Sequence, residues 1–142
     1  MGQNVTLDEL YESATAQEKC IENFPGIQER FYLIGLIDNV LDAVWNLVGP
    51  FRVNSGFRSP ALNEAVGGAE KSQHCKGEAA DIYPVDMGLD EAFQKIAASG
   101  IPYDQLIREK NWLHISYTTR RENRKQALII DDGGTRTYAP PR

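Results

Sequence analysis

The sequence lacks the features that mark two large functional classes. Its 15 lysines and arginines are outnumbered by 20 aspartates and glutamates, and the net charge of −5 offers no basic field to attract a phosphate backbone. A nucleic-acid partner is therefore not expected. No uninterrupted apolar run approaches the roughly 20 residues that a membrane-spanning helix needs, so no membrane span is expected either.

Cysteine is also scarce. Cys20 and Cys75 lie far apart in the sequence and form no CxxC pair. One disulfide could join them, but two free thiols are expected in a chain without a secretory signal. The first ten residues, MGQNVTLDEL, have neither the basic nor the apolar segment of such a signal. If the substrate lies outside the cytoplasm, something else must deliver the protein there.

The length and composition fit one globular domain. A chain of 142 residues with 42% hydrophobic residues can enclose one core and is too short for two. The order of the helical and strand-like segments predicts a single α+β domain over residues 1–142. A small antiparallel or mixed sheet is expected to pack against N-terminal helices and one further helix. Residues 129–142, which contain Gly133-Gly134 and Pro140-Pro141, are predicted to form a loosely ordered tail.

Periodic apolar residues and capping signals predict three helices. A capping box from Thr6 to Glu9 indicates a short first helix. The second begins at Ile27 and ends at Gly49, and its apolar stripe is wide enough to predict that the helix is largely buried. The third covers residues 89–97 and is expected to use Gly100 as its C-terminal cap.

Alternating patterns predict the strands. They cover residues 51–55, 79–83, 103–108 and 112–117, with an edge strand at residues 126–130. Residues 56–68 form a turn-rich segment after the first strand.

The chain contains only two histidines, so any zinc site that uses imidazole ligands must be built on His74 and His114. A catalytic zinc site needs three protein ligands and one open position for water, and two histidines with one carboxylate are a common set. Asp81 completes that set. It lies between Ala80 and Ile82 in a predicted strand, where a carboxylate needs a partner or a metal.

The expected placement of these residues favours a shared site. His74 would lie on a loop, Gly77 would let the backbone turn tightly, and Asp81 and His114 would come from neighbouring strands. On the residues alone, two other interpretations stay open. Both histidines could be structural residues of half-buried strands. Cys75 could also replace His74 as a ligand, although adjacent strand residues point to opposite faces and could not easily share one metal.

Several motifs occur in an order that resembles one protein family. They are Ser72-x-His74-x-x-Gly77-x-Ala79-x-Asp81-Ile82, Trp112-x-His114-Ile115-Ser116, Ser55-Gly-Phe-Arg-Ser-Pro-Ala-Leu-Asn63, Ala65-Val-Gly-Gly68, Asp104-Gln-Leu-Ile107 and Asn123-Arg-Lys-Gln126. These motifs resemble the zinc D-Ala-D-Ala carboxypeptidase and dipeptidase family, which includes phage L-alanyl-D-glutamate endolysins and shares its fold with the hedgehog signalling domain. The likeness runs from about residue 6 to about residue 128 and looks closest to a small phage and bacterial branch.

The resemblance implies roles for individual residues. The three zinc ligands of the family match His74, Asp81 and His114. Arg58 matches the arginine that stabilises the tetrahedral intermediate. Better-known relatives carry an acidic residue three positions before the last histidine, but here that position is Asn111, which cannot act as a base. Glu109 is the nearest carboxylate and becomes the predicted base.

The placement of Glu109 depends on the turn between two predicted strands. Strand parity puts Glu109 and His114 on opposite faces, so a bulge or turn at Lys110-Asn111 has to bring the carboxylate round. The alternative is a solvated glutamate in a hairpin turn.

Three further residues near the motifs are predicted to contact substrate. Ser72 and Ser116 flank the ligands and could bind a substrate carboxylate or orient a ligand. Trp112 could form a pocket wall or pack in the core.

The activity implied by the resemblance is hydrolysis of a peptide bond in peptidoglycan stem peptides by a zinc-activated water. Terminal D-Ala-D-Ala and internal L-Ala-D-Glu bonds are both candidates. The alternative, which Asn111 favours, is a non-catalytic zinc-stabilised module that binds the cell wall or builds a virion. The expected partners are the peptidoglycan peptide and phage virion or lysis proteins, which would carry the protein from the cytoplasm to the wall.

Overall fold

A six-stranded mixed sheet organises the computed structural model, which describes residues 4–69 and 72–140. The strands are β1 (Phe51–Ser55), β2 (Ala79–Pro84), β3 (Gln105–Arg108), β4 (Leu113–Ser116), β5 (Gln126–Asp131) and β6 (Gly134–Thr137). Their spatial order is β1-β2-β4-β3-β5-β6, and the pairs are antiparallel except for β3 with β5. The α+β class predicted from the sequence is confirmed.

The helices are α1 (Ala14–Glu18), α2 (Ile27–Leu36), α3 (Asp42–Val48), α4 (Pro60–Ala65) and α5 (Leu89–Ala97). A π-helical turn at Ile37–Leu41 joins α2 to α3, so that one continuous helix runs from residue 27 to residue 48. Single 3-10 turns lie at Asp8–Leu10 and Gln73–Lys76.

The hydrophobic core lies between one face of the sheet and the helices α2, α3 and α5. Ile82 pairs with Leu113, and Leu106 pairs with Ile115, so all four side chains project from the same face. All four are fully buried in one cluster with the helical residues. Because side chains alternate along a strand, the residues between them lie on the opposite face, where they are available for a site.

The helix over residues 27–48 is buried less evenly than predicted. Leu36, Val40 and Val44 are fully buried, whereas Ile27 is 82% exposed and Phe31 is 70% exposed. The 22-residue helix also contains an 18-residue window with a mean hydropathy of 1.4 and is, by length and composition alone, apolar enough to cross a membrane. In this fold its middle and C-terminal turns pack as the core helix of a folded domain.

Two of the predicted capping signals act differently from expectation. The Glu9 carboxylate accepts hydrogen bonds from the amide and the hydroxyl of Thr6, but the result is one 3-10 turn at Asp8–Leu10 and not a longer helix. Helix α5 ends at Ala97, and just beyond it the Ser99 hydroxyl donates to the Ile96 carbonyl and accepts a hydrogen bond from the Ile101 amide. Gly100 has no left-handed backbone and is therefore not a cap of the predicted kind.

Helix α4 falls in the segment predicted to be only turns. The Ser59 hydroxyl accepts a hydrogen bond from the Leu62 amide, and Pro60 occupies the first helical position. Serine followed by proline is a helix start signal, so the pattern was present in the sequence.

The C-terminal segment is more ordered than predicted. Strand β5 extends to Asp131 and is not the edge of the sheet, because β6 pairs with it. Asp131 accepts hydrogen bonds from the Gly133 amide and from Arg136, which closes the hairpin. Tyr138 then packs edge-on against Phe93. Residues 141 and 142 lie outside the described part of the chain.

Candidate metal centre

The three predicted ligands meet at one point on the sheet face opposite the core. Asp81 in β2 and His114 in β4 are register partners, so their side chains project side by side. His74 comes from the 3-10 turn that precedes β2. One ligand atom from each residue lies within 4.8 Å of the other two, and the residues described here contain one such group.

The loop that carries His74 is fixed at both ends. Ser72 caps the 3-10 turn, because its hydroxyl accepts a hydrogen bond from the His74 amide at 3.1 Å. Gly77 ends the turn with a φ of +78°, a left-handed conformation that glycine adopts readily. The His74 ring is buried, and its Nδ1 lies 2.7 Å from the carbonyl oxygen of Gly56. His74 is therefore held rigidly before any ligand binds.

Gly77 should tolerate no side chain. A Cβ at this position would overlap the carbonyl oxygen of Glu29, whereas a Cβ at Gly67 (φ +73°) would meet nothing within 4 Å. We expect Gly77→Ala to cost about 3 kcal/mol of unfolding free energy, because strain and overlap add, and Gly67→Ala to cost about 1 kcal/mol from strain alone. Chemical denaturation of both variants measures this difference. Equal losses would show that the approach to Glu29 does not matter.

The donor atoms of the cluster suit a cation. Since a carbonyl oxygen only accepts hydrogen bonds, His74 Nδ1 must carry the proton that bonds to Gly56, and Nε2 of the neutral ring then holds a lone pair. That Nε2 lies 3.3 Å from Asp81 Oδ1, and His114 Nδ1 lies 3.0 Å from the same oxygen. Two acceptors at such a distance repel unless a proton or a metal ion lies between them.

The spacing and the charge of the cluster agree with this interpretation. Donor atoms bonded to one zinc at about 2.0–2.2 Å would lie roughly 3.4 Å apart, close to the separations of 3.3 and 3.0 Å between Asp81 Oδ1 and the two imidazoles. Burial alone would raise the pKa of Asp81, but the neighbouring imidazoles of His114 and His74 outweigh it and hold that pKa well below its usual range. The carboxylate is thus ionised at neutral pH, as a metal ligand must be.

Glu109 lies on the same face as His114, which corrects the parity prediction. Ile107 pairs with His114, and the Glu109 amide donates to the Trp112 carbonyl at 3.0 Å, so Glu109 is opposite Trp112. Counting residues along the chain gave the wrong face, because the two-residue Lys110-Asn111 turn resets the alternation. No bulge is needed.

Glu109 lies close enough to the candidate metal ligands for two of them, His114 and Asp81, to influence its pKa. Burial raises the pKa of the half-buried Glu109 carboxyl, while the charge of His114 lowers it and the charge of Asp81 raises it. The net direction is upward. A carboxyl with a raised pKa beside a candidate metal centre is suited to both accepting and donating a proton.

Arg58 is attached to the loop that carries His74. Its amide donates to the His74 carbonyl at 3.1 Å, and Nη2 donates to the Ser72 hydroxyl at 3.4 Å. Its Nε is buried and has no hydrogen-bond partner among the described residues. The Arg58 side chain as a whole is half-buried, and its unused buried donor is an orphaned group that a substrate oxygen could satisfy.

Ser116 does not make the substrate contact that the sequence analysis predicted. It is fully buried, and its hydroxyl accepts a hydrogen bond from the Gln105 amide at 3.0 Å. Ser116 thus joins β4 to β3 and cannot reach a substrate. Trp112 is half-buried and, by register, shares the face of His114, so its role as a pocket wall stays a prediction.

Neither cysteine belongs to the cluster. Cys20 and Cys75 are both free thiols, with Cys20 exposed. Burial raises the pKa of the Cys75 thiol, and Arg58 and Lys76 lower it by less. A thiol with a raised pKa is a poor ligand, since the thiolate is the form that binds metal. Because the group of ligand atoms among the described residues contains His74 and not Cys75, the structure favours His74 as the ligand.

The sequence analysis missed a group of arginines beside the cluster. Arg120, Arg121 and Arg124 line a cleft of about 410 Å³ that His114 also lines. Two fully buried carboxylates, Glu78 and Asp104, hold these arginines. The only sequence signal was the density of arginine just after the last predicted ligand.

Comparison with known proteins agrees with this geometry. A family model described as Peptidase M15 matches residues 3–116, which include the candidate ligands His74, Asp81 and His114 as well as Arg58 and Glu109. A search of curated proteins found no match. The matched segment covers most of the chain, and the chain therefore belongs to the M15 family of metallopeptidases.

Proposed function

We propose that this M15 peptidase is a zinc enzyme that hydrolyses a peptide bond in peptidoglycan stem peptides. The observation that carries the proposal is the convergence of His74, Asp81 and His114, whose ligand atoms lie within 4.8 Å of one another. Two imidazoles and one carboxylate leave a position open for water in a tetrahedral zinc site, the arrangement of catalytic centres. The family match supports the peptidase activity.

The surrounding residues supply the other functions that hydrolysis needs. Zinc, when bound, provides an acidified water and polarises the scissile carbonyl. Glu109 shares the face of His114, and its raised pKa suits a group that takes a proton from the attacking water and returns it to the leaving amine. Arg58, with its unused Nε donor, would stabilise the negative charge that develops on the carbonyl oxygen. Ser72 holds Arg58 and the His74 loop together.

Two bonds are candidates for cleavage, the terminal D-Ala-D-Ala bond and the internal L-Ala-D-Glu bond. Digestion of purified sacculi with the zinc-loaded protein, followed by mass spectrometry of the released fragments, reports both the activity and the bond. We expect either free D-alanine or fragments with a new D-glutamate amino end. Delivery to the wall by a phage lysis system or virion stays a prediction of the family resemblance.

A second candidate function follows from Asn111, which occupies the position where better-known relatives have their base. In that case the protein is a zinc-stabilised module that binds the cell wall or a virion without cutting. If the protein binds about one zinc per chain but releases no fragment from any peptidoglycan, this second candidate replaces the first.

A further inference from the structure

The arginine cleft, defined by Arg120, Arg121, Arg124 and Lys76, is a positively charged region in an acidic protein. The chain has a net charge of −5, yet four cations line this cleft beside His114. Its remaining lining residues are polar: Ser72, Gln73 and Gln105. Since His114 belongs to both, the cleft is continuous with the metal cluster.

Asp104 holds two of the arginines in place. Its carboxylate is fully buried and accepts hydrogen bonds from both Nη atoms of Arg121, each at 2.9 Å. It also accepts from the amide, Nε and Nη2 of Arg124, and from Gln73 Nε2. Burial would raise the pKa of Asp104, but the bonds from Arg124 and Arg121 hold it well below its usual range. A permanently charged anchor thus orients both guanidinium groups.

Glu78 holds the third arginine in the same way. Its fully buried carboxylate accepts hydrogen bonds from Arg120 Nε at 3.0 Å and Nη2 at 2.7 Å, and from the Thr118 hydroxyl at 2.6 Å. The bonds leave Nη1 of Arg120 and of Arg124 without a partner in the part of the chain that the structure describes.

The three arginines are therefore held in place, but their carboxylate partners do not use all of their hydrogen-bond donors. Arg120, Arg121 and Arg124 keep 42%, 44% and 46% of their side-chain surface exposed, although both carboxylates are fully buried. Four cations face two carboxylates, so the cleft keeps an excess of positive charge. Preordered guanidinium groups with free donors are the usual protein partners of a carboxylate, which they bind through charge-assisted hydrogen bonds.

We propose that the arginine cleft binds the carboxylate of the substrate residue whose amine is released by cleavage. The inference rests on the proposed function and deepens it. In a terminal D-Ala-D-Ala unit, and equally in an L-Ala-D-Glu unit linked onward through its γ-carboxyl, that residue carries a free α-carboxylate. This carboxylate is one carbon away from the scissile nitrogen. A cleft that shares His114 with the metal cluster lies where such a group would extend.

The test compares ligands that differ only in this charge. Ketomethylene isosteres of acetyl-D-Ala-D-Ala and of acetyl-L-Ala-D-Glu cannot be hydrolysed, and each is made with a free α-carboxylate or with the α-amide. Calorimetry with the zinc-loaded full chain gives the dissociation constants. We expect at least one acid to bind about tenfold more tightly than its amide, the effect of one charge-assisted contact. Equal affinity of acid and amide in both pairs would overturn the inference.

Variants of the cleft make the test specific. Arg124→Gln should remove most of the preference for the acid, because it removes a guanidinium whose Nη1 is unused. Arg124→Lys should keep part of the preference because the charge remains. Arg136→Gln is the matched control, since Arg136 also pairs with a carboxylate, Asp131, but on the distant β5–β6 hairpin. An unchanged preference in Arg124→Gln would reject the proposal. Circular dichroism checks the fold, and Arg120→Gln replaces Arg124→Gln if that variant does not fold.

The outcome is separable from that of the proposed function. The isosteres report binding without turnover, so a clear acid preference would support the cleft even if no peptidoglycan were cut. Conversely, cleavage of sacculi by a protein that binds acid and amide equally would leave the activity standing and reject the arginine cleft as the carboxylate site.

Discussion

Replacing Asp81 with alanine is expected to abolish zinc binding and to lower peptide hydrolysis by about a thousandfold or more, since a catalytic zinc supplies several kcal/mol of transition-state stabilisation. Asp81 Oδ1 lies within 3.3 Å of a ring nitrogen of both histidines, so its loss removes one ligand and the group that orients the other two. Elemental analysis should find about one zinc per wild-type chain and almost none in the variant.

Thermal unfolding gives a second measure that does not depend on activity. A ligand present at 1,000 times its dissociation constant stabilises the folded state by about 4 kcal/mol, which for a chain of this size raises Tm by about 10 °C. We expect zinc to raise the Tm of the wild type by this order, a chelator to reverse it, and Asp81→Ala to show no shift.

The control for this variant is Asp131→Ala. Asp131 also lies at the end of a strand and pairs with a basic residue, Arg136, but it belongs to the β5–β6 hairpin away from the cluster. The Asp131→Ala variant should bind zinc as the wild type does, and zinc should raise its Tm by the same amount. If Asp81→Ala retained full zinc occupancy, the assignment of the metal centre would be wrong.

The candidate metal ligands could be predicted from the sequence because few residues of the chain could serve as ligands. With two histidines in the chain, the choice of imidazole ligands was forced. Asp81 could be predicted as a ligand because a charged residue in an apolar strand needs a partner, and the residues on either side of it are enough to show that it lies in such a strand. Gly77 was visible for a similar reason, since its left-handed turn depends on one residue.

The residues that were misplaced depend on strand pairing, which no local pattern encodes. The face of Glu109 is set by which residue of β4 lies opposite it, and the length of the turn decides this. Ser116 is buried because β3 packs beside it and uses its hydroxyl. In both cases the position of the residue along its own strand was predicted correctly, but the neighbouring strand determines which groups its side chain contacts.

The arginine cleft was missed because its anchors lie far away in sequence. Arg120 is 42 residues from Glu78, and Arg124 is 20 residues from Asp104. Read alone, such arginines look like a solvated charged segment. Only the fold brings them onto buried carboxylates and beside His114.

Replacing Glu109 with glutamine is expected to lower kcat for stem-peptide hydrolysis by about 100- to 10,000-fold, the usual contribution of a general acid–base group, while zinc stays bound. Glutamine keeps the size and polarity of the side chain but cannot take up a proton. Glu109 lies on the face of His114, and burial raises its pKa, so its proton exchange is what the substitution removes. Steady-state kinetics with elemental analysis on the same sample measures both effects.

Asp132→Asn is the matched control, because Asp132 is a 91% exposed carboxylate that pairs at 3.4 Å with Lys110, the residue next to Glu109. It changes the charge near the same turn without touching the cluster, and should leave kcat as in the wild type. Full activity in Glu109→Gln would remove Glu109 from the mechanism, whereas loss of zinc would make it a metal ligand. If Glu109→Gln is inactive but retains zinc, and Asp132→Asn is fully active, Glu109 is identified as the base, a role that Asn111 cannot fill.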